Sequence, residues 1–219
     1  MIDVKTTQEW LCLHGFYTKV DGQMGPATKA AIKLFQGKNG LAQTGSVDQN
    51  TENALVLPLQ RAKAALPPEM SEVKGEPADV LHIARQHLRE HPREVGGQNR
   101  GPWVRHYMDG NEGDAWAWCA GFATTVLRQA GSPIGKFYSC DLLMKDAATR
   151  GKLSDKPMVG GLFLVMKSPT DAVHVGIVTS ISPGVIQTIE GNTNDEGSRE
   201  GYEVCARTRS FKGMRFIHL

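Results

Sequence analysis

The spacing of apolar residues changes once along this chain of 219 residues, and that change most constrains its fold. Up to about residue 160, apolar residues recur every three or four positions, which predicts amphipathic helices. Beyond that point, short segments rich in β-branched or aromatic residues are bounded by Pro, Gly, Asn or Asp, which predicts strands. The predicted strands cover 161–167, 172–181, 185–190, 202–209 and 214–219. Helices followed by an antiparallel sheet predict an α+β fold.

A second division falls between a small N-terminal region and a larger remainder. Residues 62–77 are rich in Pro, charged and small residues and lack sustained periodicity, so we expect a linker there. The predicted domains are therefore a three-helix domain at 1–61 and a larger domain at 78–219. Helical spacing with turn signals between the segments predicts helices at 7–13, 28–36, 51–57 and 78–91. Thr28 is expected to cap the second helix.

Composition argues against several classes of function. The 25 Lys and Arg residues and 23 Asp and Glu residues give a formal charge of +2 and are interleaved, so we expect no nucleic-acid partner. The four cysteines show neither CxxC pairs nor regular spacing, which argues against a zinc ribbon or a disulfide framework. No apolar run approaches the ~20 residues of a membrane span, and the N-terminus lacks the pattern of a signal peptide. We expect a monomer that accumulates in the cytoplasm without membrane insertion.

Cys119 is the strongest candidate for a reactive side chain. The apolar residues at 122–130 recur at helical spacing, so the thiol is predicted at the first turn of a helix. The helix dipole and a neighbouring imidazole can lower the pKa of a thiol several units below ~8.5, which produces the nucleophilic thiolate. The alternative is an inert core cysteine, which is what we expect for Cys12, Cys140 and Cys205.

Two predicted strands supply the other groups that a thiol nucleophile needs. His174 lies in a β-branched strand, on the face opposite Val173 and Val175. The next strand ends in Glu190 and Asn192, whose spacing puts both side chains on one face, and either can accept the distal N–H of the imidazole. A lone histidine in a strand is more often structural. The three elements in succession nevertheless predict a catalytic constellation.

A pattern of apolar and turn residues spans the first 57 residues. It consists of Leu11, Leu13, Gly15, Phe16, Tyr17, VDG at 20–22, MGPAT at 24–28, AAI at 30–32, FQ at 35–36, GL at 40–41, GSVD at 45–48 and TENAL at 51–55. The pattern resembles the peptidoglycan-binding type 1 family, a three-helix wall-binding domain. The resemblance implies bacterial peptidoglycan as the partner. Exposed turn residues would make the contacts, and Asp21, Gln23 and Gln36 are the candidates.

Four motifs of the larger domain occur in a fixed order. They are GGQNRGPWV at 96–104, WAWCAGF at 116–122, HVGIV at 174–178 and EGN at 190–192. They resemble the cysteine, histidine-dependent amidohydrolase/peptidase (CHAP) family of papain-like cell-wall hydrolases. The resemblance implies a papain-like domain with Cys119 as nucleophile, His174 as general base and then acid, and Glu190 with Asn192 as orienting groups. One departure is Gly161, where the family commonly has Asp.

Other residues near Cys119 are candidates for contact with substrate. Aromatic rings can line a groove for sugar or peptide, and the candidates are Trp103, Trp116 and Trp118. For Trp103 and Trp118, a place in the core is the equal alternative. Gln98 and Asn99 are candidates for a second oxyanion donor, beside the backbone N–H of Cys119.

The loop before Cys119 offers oxygen ligands for a metal ion. Asp109, Asn111 and Asp114 are its candidates, and some CHAP relatives bind calcium upstream of their nucleophile. The loop fails the EF-hand template, because Ala120 stands where the bidentate Glu is required. We expect a solvated loop, no metal and no cofactor, with calcium as the minor alternative.

The two resemblances together predict a peptidoglycan hydrolase. It would cut either the N-acetylmuramoyl-L-alanine amide or a peptide cross-link, and the residues favour neither. The missing signal peptide predicts a phage endolysin that accumulates in the host cytoplasm and reaches the periplasm and wall through a holin. The alternatives are a secreted antibacterial effector amidase and a non-catalytic wall-binding protein.

Overall fold

The computed structural model describes residues 1–67, 76–194 and 201–219, which form seven α-helices and one six-stranded sheet. The helices are α1 (Val4–Leu13), α2 (Pro26–Lys38), α3 (Gln49–Ala62), α4 (Pro77–Arg89), α5 (Pro102–Tyr107), α6 (Cys119–Gln129) and α7 (Cys140–Thr149). The strands are β1 (Leu153–Ser154), β2 (Leu162–Ser168), β3 (Asp171–Ser182), β4 (Val185–Thr193), β5 (Glu203–Ser210) and β6 (Arg215–Ile217). The predicted α+β class is confirmed. Within these three ranges, no helix is both long and apolar enough to cross a membrane.

Helices α5 and α7 and the short strand β1 were not predicted from the sequence. Helix α5 has only six residues, too few to show helical periodicity. Helix α7 is capped by Ser139, whose side chain accepts a hydrogen bond from the backbone N–H of Leu142. Helix α3 runs through Ala62, the first residue of the predicted linker, and residues 68–75 of that linker lie outside the described residues.

The sheet has the strand order β1-β6-β2-β3-β4-β5, and all neighbouring strands are antiparallel. Strands β3 and β4 lie inside it and pair with Ile177 opposite Ile189. Helix α6 packs on both of these strands, and α7 packs on β3. The helix that begins at Cys119 is therefore held against the two strands that carry His174 and Glu190.

In the N-terminal region, Gln8 on α1 holds the turn that precedes α2. Its Oε1 accepts hydrogen bonds from the backbone N–H groups of Asp21 and Gly22, at 3.0 and 2.8 Å. Its Nε2 donates to Asp21 Oδ1, Gln23 O and Thr28 Oγ1. One buried amide thus fixes the whole turn.

Helix α2 begins earlier than predicted, at Pro26, with Gly25 as its N-cap residue. Proline suits the first helical position because it has no N–H that would need a partner there. Thr28 consequently lies inside the first turn, where its hydroxyl accepts from Gln8 at 3.1 Å. The predicted cap at Thr28 is wrong.

Gln36 on α2 repeats the arrangement of Gln8 one helix later. Its Oε1 accepts from the backbone N–H of Gly45 at 3.0 Å. Its Nε2 donates to Thr44 Oγ1, Ser46 O and Thr51 Oγ1. Each of the first two helices therefore carries a glutamine that organises the turn following it and the first turn of the next helix.

The three N-terminal helices pack directly on the larger domain, with which they share one hydrophobic cluster. Trp10 of α1 meets Trp103 of α5 edge to face, with ring centroids 5.8 Å apart. Glu9 is fully buried and pairs with Arg105, whose Nη2 lies 2.5 Å from Glu9 Oε2. Arg105 also binds Glu112 at 2.7 Å. The three N-terminal helices are therefore anchored beside the segment that leads to Cys119.

Candidate active site

Cys119 is the first residue of α6, as the sequence predicted, and is 5 % exposed. The N–H groups of a helix's first turn have no partners within the helix, so they are available to an anionic group. Gly121 lets this helix start close to α5, since a Cβ at position 121 would stand 2.5 Å from the carbonyl oxygen of Tyr107. The residues at the start of α6 thus determine where the helix begins and how closely it packs on α5.

His174 lies on β3, 2 % exposed, and its Nε2 is 2.8 Å from Glu190 Oε2 on β4. Gly176 makes this contact possible. A Cβ at position 176 would stand 2.7 Å from Glu190 Cγ, so a larger residue would push the carboxylate away. The space left by Gly176 is occupied by the side chain that orients the imidazole.

Glu190 is fully buried and accepts hydrogen bonds from three side chains. Besides His174, Thr188 Oγ1 donates to Oε1 at 2.5 Å. Arg209 on β5 binds both oxygens, with Nε and Nη2 each at 2.6 Å. The guanidinium also lies over the ring of Phe163 at 5.7 Å. Both carboxylate oxygens are therefore fixed in direction.

These contacts set the protonation of the pair. Burial alone would raise the pKa of Glu190, but hydrogen bonds and positive charge from His174 and Arg209 lower it to about 2. Burial would lower the pKa of His174, but its contacts with Cys119 and Glu190 raise it to about 9. At neutral pH the pair is therefore a carboxylate and an imidazolium.

The other ring nitrogen of His174, Nδ1, is buried and makes no hydrogen bond with any residue that the structure describes. The Cys119 thiol is close enough to the imidazole for the two to interact, and this interaction lowers the pKa of Cys119 and raises that of His174. The geometry of this contact is looser than a standard hydrogen bond. Thiol and imidazole pairs without substrate are often long or poorly aligned.

Asn192 was predicted to share the orienting role with Glu190, and it lies in the same neighbourhood without touching the imidazole in any hydrogen bond. It is 2 % exposed and adopts a left-handed conformation with φ of 55°. In the described part of the chain, its Oδ1 has no hydrogen-bond partner. The distal N–H of the imidazole is directed at Glu190. Gly191 between them packs on Phe122 and Trp118 with no room for a side chain.

Cys140 was predicted to be an inert core cysteine; it is buried in the core, and it is also a neighbour of Cys119. The two sulfur atoms are 3.6 Å apart, and both thiols are buried. Hydrogen bonds from Cys140 and His174 hold the pKa of Cys119 well below its usual value, against the effect of burial. This contact was not predictable from sequence, because the two cysteines lie on separate helices.

The three tryptophans near Cys119 differ in position. Trp103 and Trp118 are fully buried, so their predicted role in lining a groove is wrong and the core alternative is correct. In the core, the polar indole N–H of Trp118 has a partner, because it donates to Glu94 Oε1 at 2.8 Å. Trp116 is half-buried and meets exposed Tyr138 edge to face at 6.2 Å. Trp116 stays a candidate for substrate contact, and Tyr138 joins it.

Gln98 and Asn99 take different positions in the loop before α5. Gln98 is exposed. Asn99 is 4 % exposed, its backbone N–H donates to Glu94 Oε2, and its side-chain amide reaches the carbonyl of Asp114 at 3.4 Å. The Asn99 amide thus holds the loop together, and a role for Gln98 as oxyanion donor stays a prediction.

Among the candidates in the N-terminal helices, Asp21 and Gln23 are exposed at the turn after α1. Gln36 is fully buried. Because both ends of its amide are bonded to the chain, the prediction that Gln36 contacts a ligand is wrong. For Asp21 and Gln23, contact with the ligand stays a prediction.

Two of the three candidate calcium ligands in the loop before Cys119 are hydrogen-bonded to other groups of the protein. Asp109 Oδ2 accepts from the hydroxyl of Tyr138 at 2.6 Å, and the Asn111 amide donates to the carbonyl of Met108 at 2.9 Å. Asp114 is exposed. Across the described ranges, no group of three or more His, Cys, Asp or Glu side chains is arranged to hold a metal ion. The expectations on calcium and cofactors stay predictions.

Two family models match the chain. Residues 2–55 match the model described as "Putative peptidoglycan binding domain", and residues 109–192 match the model described as "CHAP domain". The second match includes Cys119, His174 and Glu190. No curated protein and no solved structure matches the chain. A CHAP domain implies amidase or peptidase activity on peptidoglycan, and the two matches together support peptidoglycan as the substrate.

Proposed function

We propose that this chain, which carries a peptidoglycan-binding domain and a CHAP domain, is a cysteine-dependent hydrolase that cleaves an amide bond of the bacterial wall. One observation carries this proposal. The imidazole of His174 is held at 2.8 Å by the buried carboxylate of Glu190, and the same imidazole interacts with the thiol at the start of α6. A nucleophile, a base and an orienting group in this order are the requirement for acyl transfer by a thiol.

In the first half of the reaction, the Cys119 thiolate attacks the carbonyl carbon of the wall amide. The new S–C bond converts the carbonyl oxygen into an oxyanion, which the backbone N–H of Cys119 stabilises at the positive end of α6. His174, as imidazolium, then donates its Nδ1 proton to the leaving nitrogen. The C–N bond breaks, the amine departs, and a thioester on Cys119 remains.

In the second half, water replaces the amine. His174, now neutral, removes a proton from the water as its oxygen attacks the thioester carbonyl. The C–S bond breaks, the carboxylic acid product leaves, and the thiolate and imidazolium are restored. Glu190 keeps the ring in one orientation and stabilises its positive charge in both halves.

The bond that is cut would be identified from the products. Amidase activity releases peptides that begin with a free alanine amino group and leaves glycan without peptide. Endopeptidase activity keeps the peptides on the glycan and opens the cross-links. Mass spectrometry of digested walls therefore separates the two activities. The pair formed by half-buried Trp116 and exposed Tyr138 is the surface we expect to select between them.

The test of the proposal is the clearing of purified wall suspensions. We expect Cys119→Ala and His174→Ala to abolish clearing while the proteins still sediment with the walls. Cys12→Ala, which removes a buried thiol from the N-terminal helices, is the matched control and should clear normally. If both active-site variants still clear the suspension, the assignment is wrong, and unchanged lysis by Cys119→Ala would favour a non-catalytic wall-binding protein.

We further propose that the protein is a phage endolysin. Support comes from the order of the domains, with the wall-binding domain first and the hydrolase last, an order that resembles modular lysins aimed at Gram-negative hosts. A secreted antibacterial effector would use the same chemistry. Neighbouring genes distinguish the two, since a holin gene supports lysis and an immunity gene supports an effector.

A further inference from the structure

The chain has four cysteines in 219 residues, and the sulfur atoms of two of them, Cys119 and Cys140, are in contact. They are 3.6 Å apart, and the thiols are 5 % and 7 % exposed. Each is the first residue of its helix, α6 or α7. Two helix N-termini therefore meet at the two sulfurs, where negative charge is favoured.

The position of Cys140 is fixed by bonds on both sides of it. Ser139 caps α7 by accepting from the N–H of Leu142. Asp141 Oδ1 accepts from the N–H of Ala172 at 2.6 Å, which ties the first turn of α7 to the strand that carries His174. The imidazole and the second thiol are thus held in register around Cys119.

The two thiols are pushed toward different protonation states. The hydrogen bond from Cys140, followed by the contact with His174, keeps the pKa of Cys119 well below its usual value although the thiol is buried. The same contact, together with burial and the charge of Asp141, raises the pKa of Cys140. A protonated donor beside an ionised acceptor is the arrangement that a hydrogen bond from thiol to thiolate requires.

We propose that Cys140 is a second catalytic thiol, whose S–H donates a hydrogen bond to the Cys119 thiolate and keeps it ionised in mildly acidic surroundings. This inference rests on the proposed function, in which Cys119 is the nucleophile. With imidazolium on one side and S–H on the other, the thiolate is stabilised by two donors.

The experiment measures how fast iodoacetamide alkylates Cys119 of the full-length protein as a function of pH, read from the Cys119-containing peptide by mass spectrometry. Cys140→Ala removes the donor, and we expect the pH of half-maximal alkylation to rise by about one unit. Cys140→Ser keeps an O–H donor of similar size and should stay within a few tenths of a unit of the wild type. Cys12→Ala, the distant buried thiol, should not move it.

Three outcomes overturn the proposal. One is a Cys140→Ala profile that coincides with the wild type, and another is an equal shift in Cys140→Ala and Cys140→Ser, which would assign the effect to packing. The third is alkylation of Cys140 ahead of Cys119. If Cys140→Ala does not fold, Cys140→Val, which has no donor but a similar volume, replaces it in the comparison with Cys140→Ser.

Alkylation needs no wall substrate, so the two proposals fail separately. A shifted alkylation profile in a protein that does not clear walls would leave the thiol pair standing and remove the proposed function. Clearing by the wild type with an unshifted Cys140→Ala profile would do the reverse.

Discussion

In the N-terminal helices, the buried side-chain amides of Gln8 and Gln36 have hydrogen bonds at both the oxygen and the nitrogen. In the larger domain, His174 and Asn192 are equally buried, but each has one polar side-chain atom without a hydrogen-bond partner among the described residues. Buried polar groups are almost always satisfied in folded proteins. A side chain whose capacity is used up by backbone turns serves the architecture. One that is fixed at one end and open at the other leaves capacity for a reacting group.

The cost of the open positions is offset by neighbouring contacts. Glu190 binds the His174 ring through Nε2, on the edge opposite the open Nδ1, and its oxygens receive donors from Thr188, Arg209 and His174. Leaving a buried polar atom unpaired costs about 1–3 kcal/mol. Charge-assisted hydrogen bonds to Glu190 offset this cost. They hold the imidazole rigidly through Nε2, while Nδ1 stays available for the reaction.

The largest effect is expected from His174→Ala. Loss of the group that protonates the leaving amine should lower kcat/KM for wall hydrolysis by about 10³-fold. In the wild type, hydrolysis should fall as pH rises through about 9, because above that value His174 loses the proton that it must donate. A pH–rate profile checks both points. A profile that stays flat to well above pH 9 would contradict the assignment of His174 as the acid.

Glu190→Gln should have the next largest effect, a loss of about 10²-fold in kcat/KM. The amide keeps the shape of the carboxylate but removes the charge that favours imidazolium. The high-pH limb of the profile should therefore move down from about 9. Asn192→Ala is the matched comparison, because Asn192 makes no hydrogen bond to the imidazole, and a loss as large as that of Glu190→Gln would show that the two residues share the orienting role.

Arg209→Gln should lower kcat/KM by about 10-fold, because Arg209 acts on the imidazole only through Glu190. It should also reduce the free energy of unfolding by about 3 kcal/mol at pH 7, since a buried carboxylate loses its bidentate partner. Arg207→Gln, on the same strand with contacts to Thr193 instead, is the control. Its kcat/KM should remain near that of the wild type.

The stability lost in Arg209→Gln should depend on pH in a defined direction. The folded-state pKa of Glu190 is about 2, below its ordinary value of 4.5. Its contribution is therefore fully present above about pH 4.5 and is lost as pH falls toward 2. Urea denaturation across this range should show the gap between wild type and Arg209→Gln closing with acidification. A gap that stays constant would mean that the ion pair does not stabilise the fold.

Much of the fold was predictable because the information is local. Helical and strand periodicity each depend on residues within one element, and the predicted helices and strands form with shifted ends. The arrangement of Cys119, His174 and Glu190 was also accessible, since each sits at a recognisable position of its own element. The positions of Cys140 and Arg209 were not, because each contact depends on how two separate elements pack against each other.

The burial of individual polar and aromatic side chains was also not predictable from the sequence. Trp116 and Trp118 flank the same alanine, yet only Trp118 is in the core, because Glu94 accepts its indole N–H. Gln23 and Gln36 both belong to turn-forming motifs, yet only Gln23 is exposed. In each case, the buried side chain is bonded to groups outside its own helix or turn.

The smallest effect on the chemistry is expected from Gln36→Ala, although its effect on the fold is large. The substitution leaves the N–H of Gly45, the carbonyl of Ser46 and the hydroxyl of Thr51 without their common partner, so the free energy of unfolding should fall by about 3 kcal/mol. Cleavage of a soluble muropeptide below the unfolding transition should stay within twofold of the wild type. Gln23→Ala, on an exposed residue of the same domain, should change stability by less than about 0.5 kcal/mol but weaken sedimentation with walls. If Gln23→Ala destabilises the protein as much as Gln36→Ala does, the division between architectural and ligand-contacting glutamines is wrong.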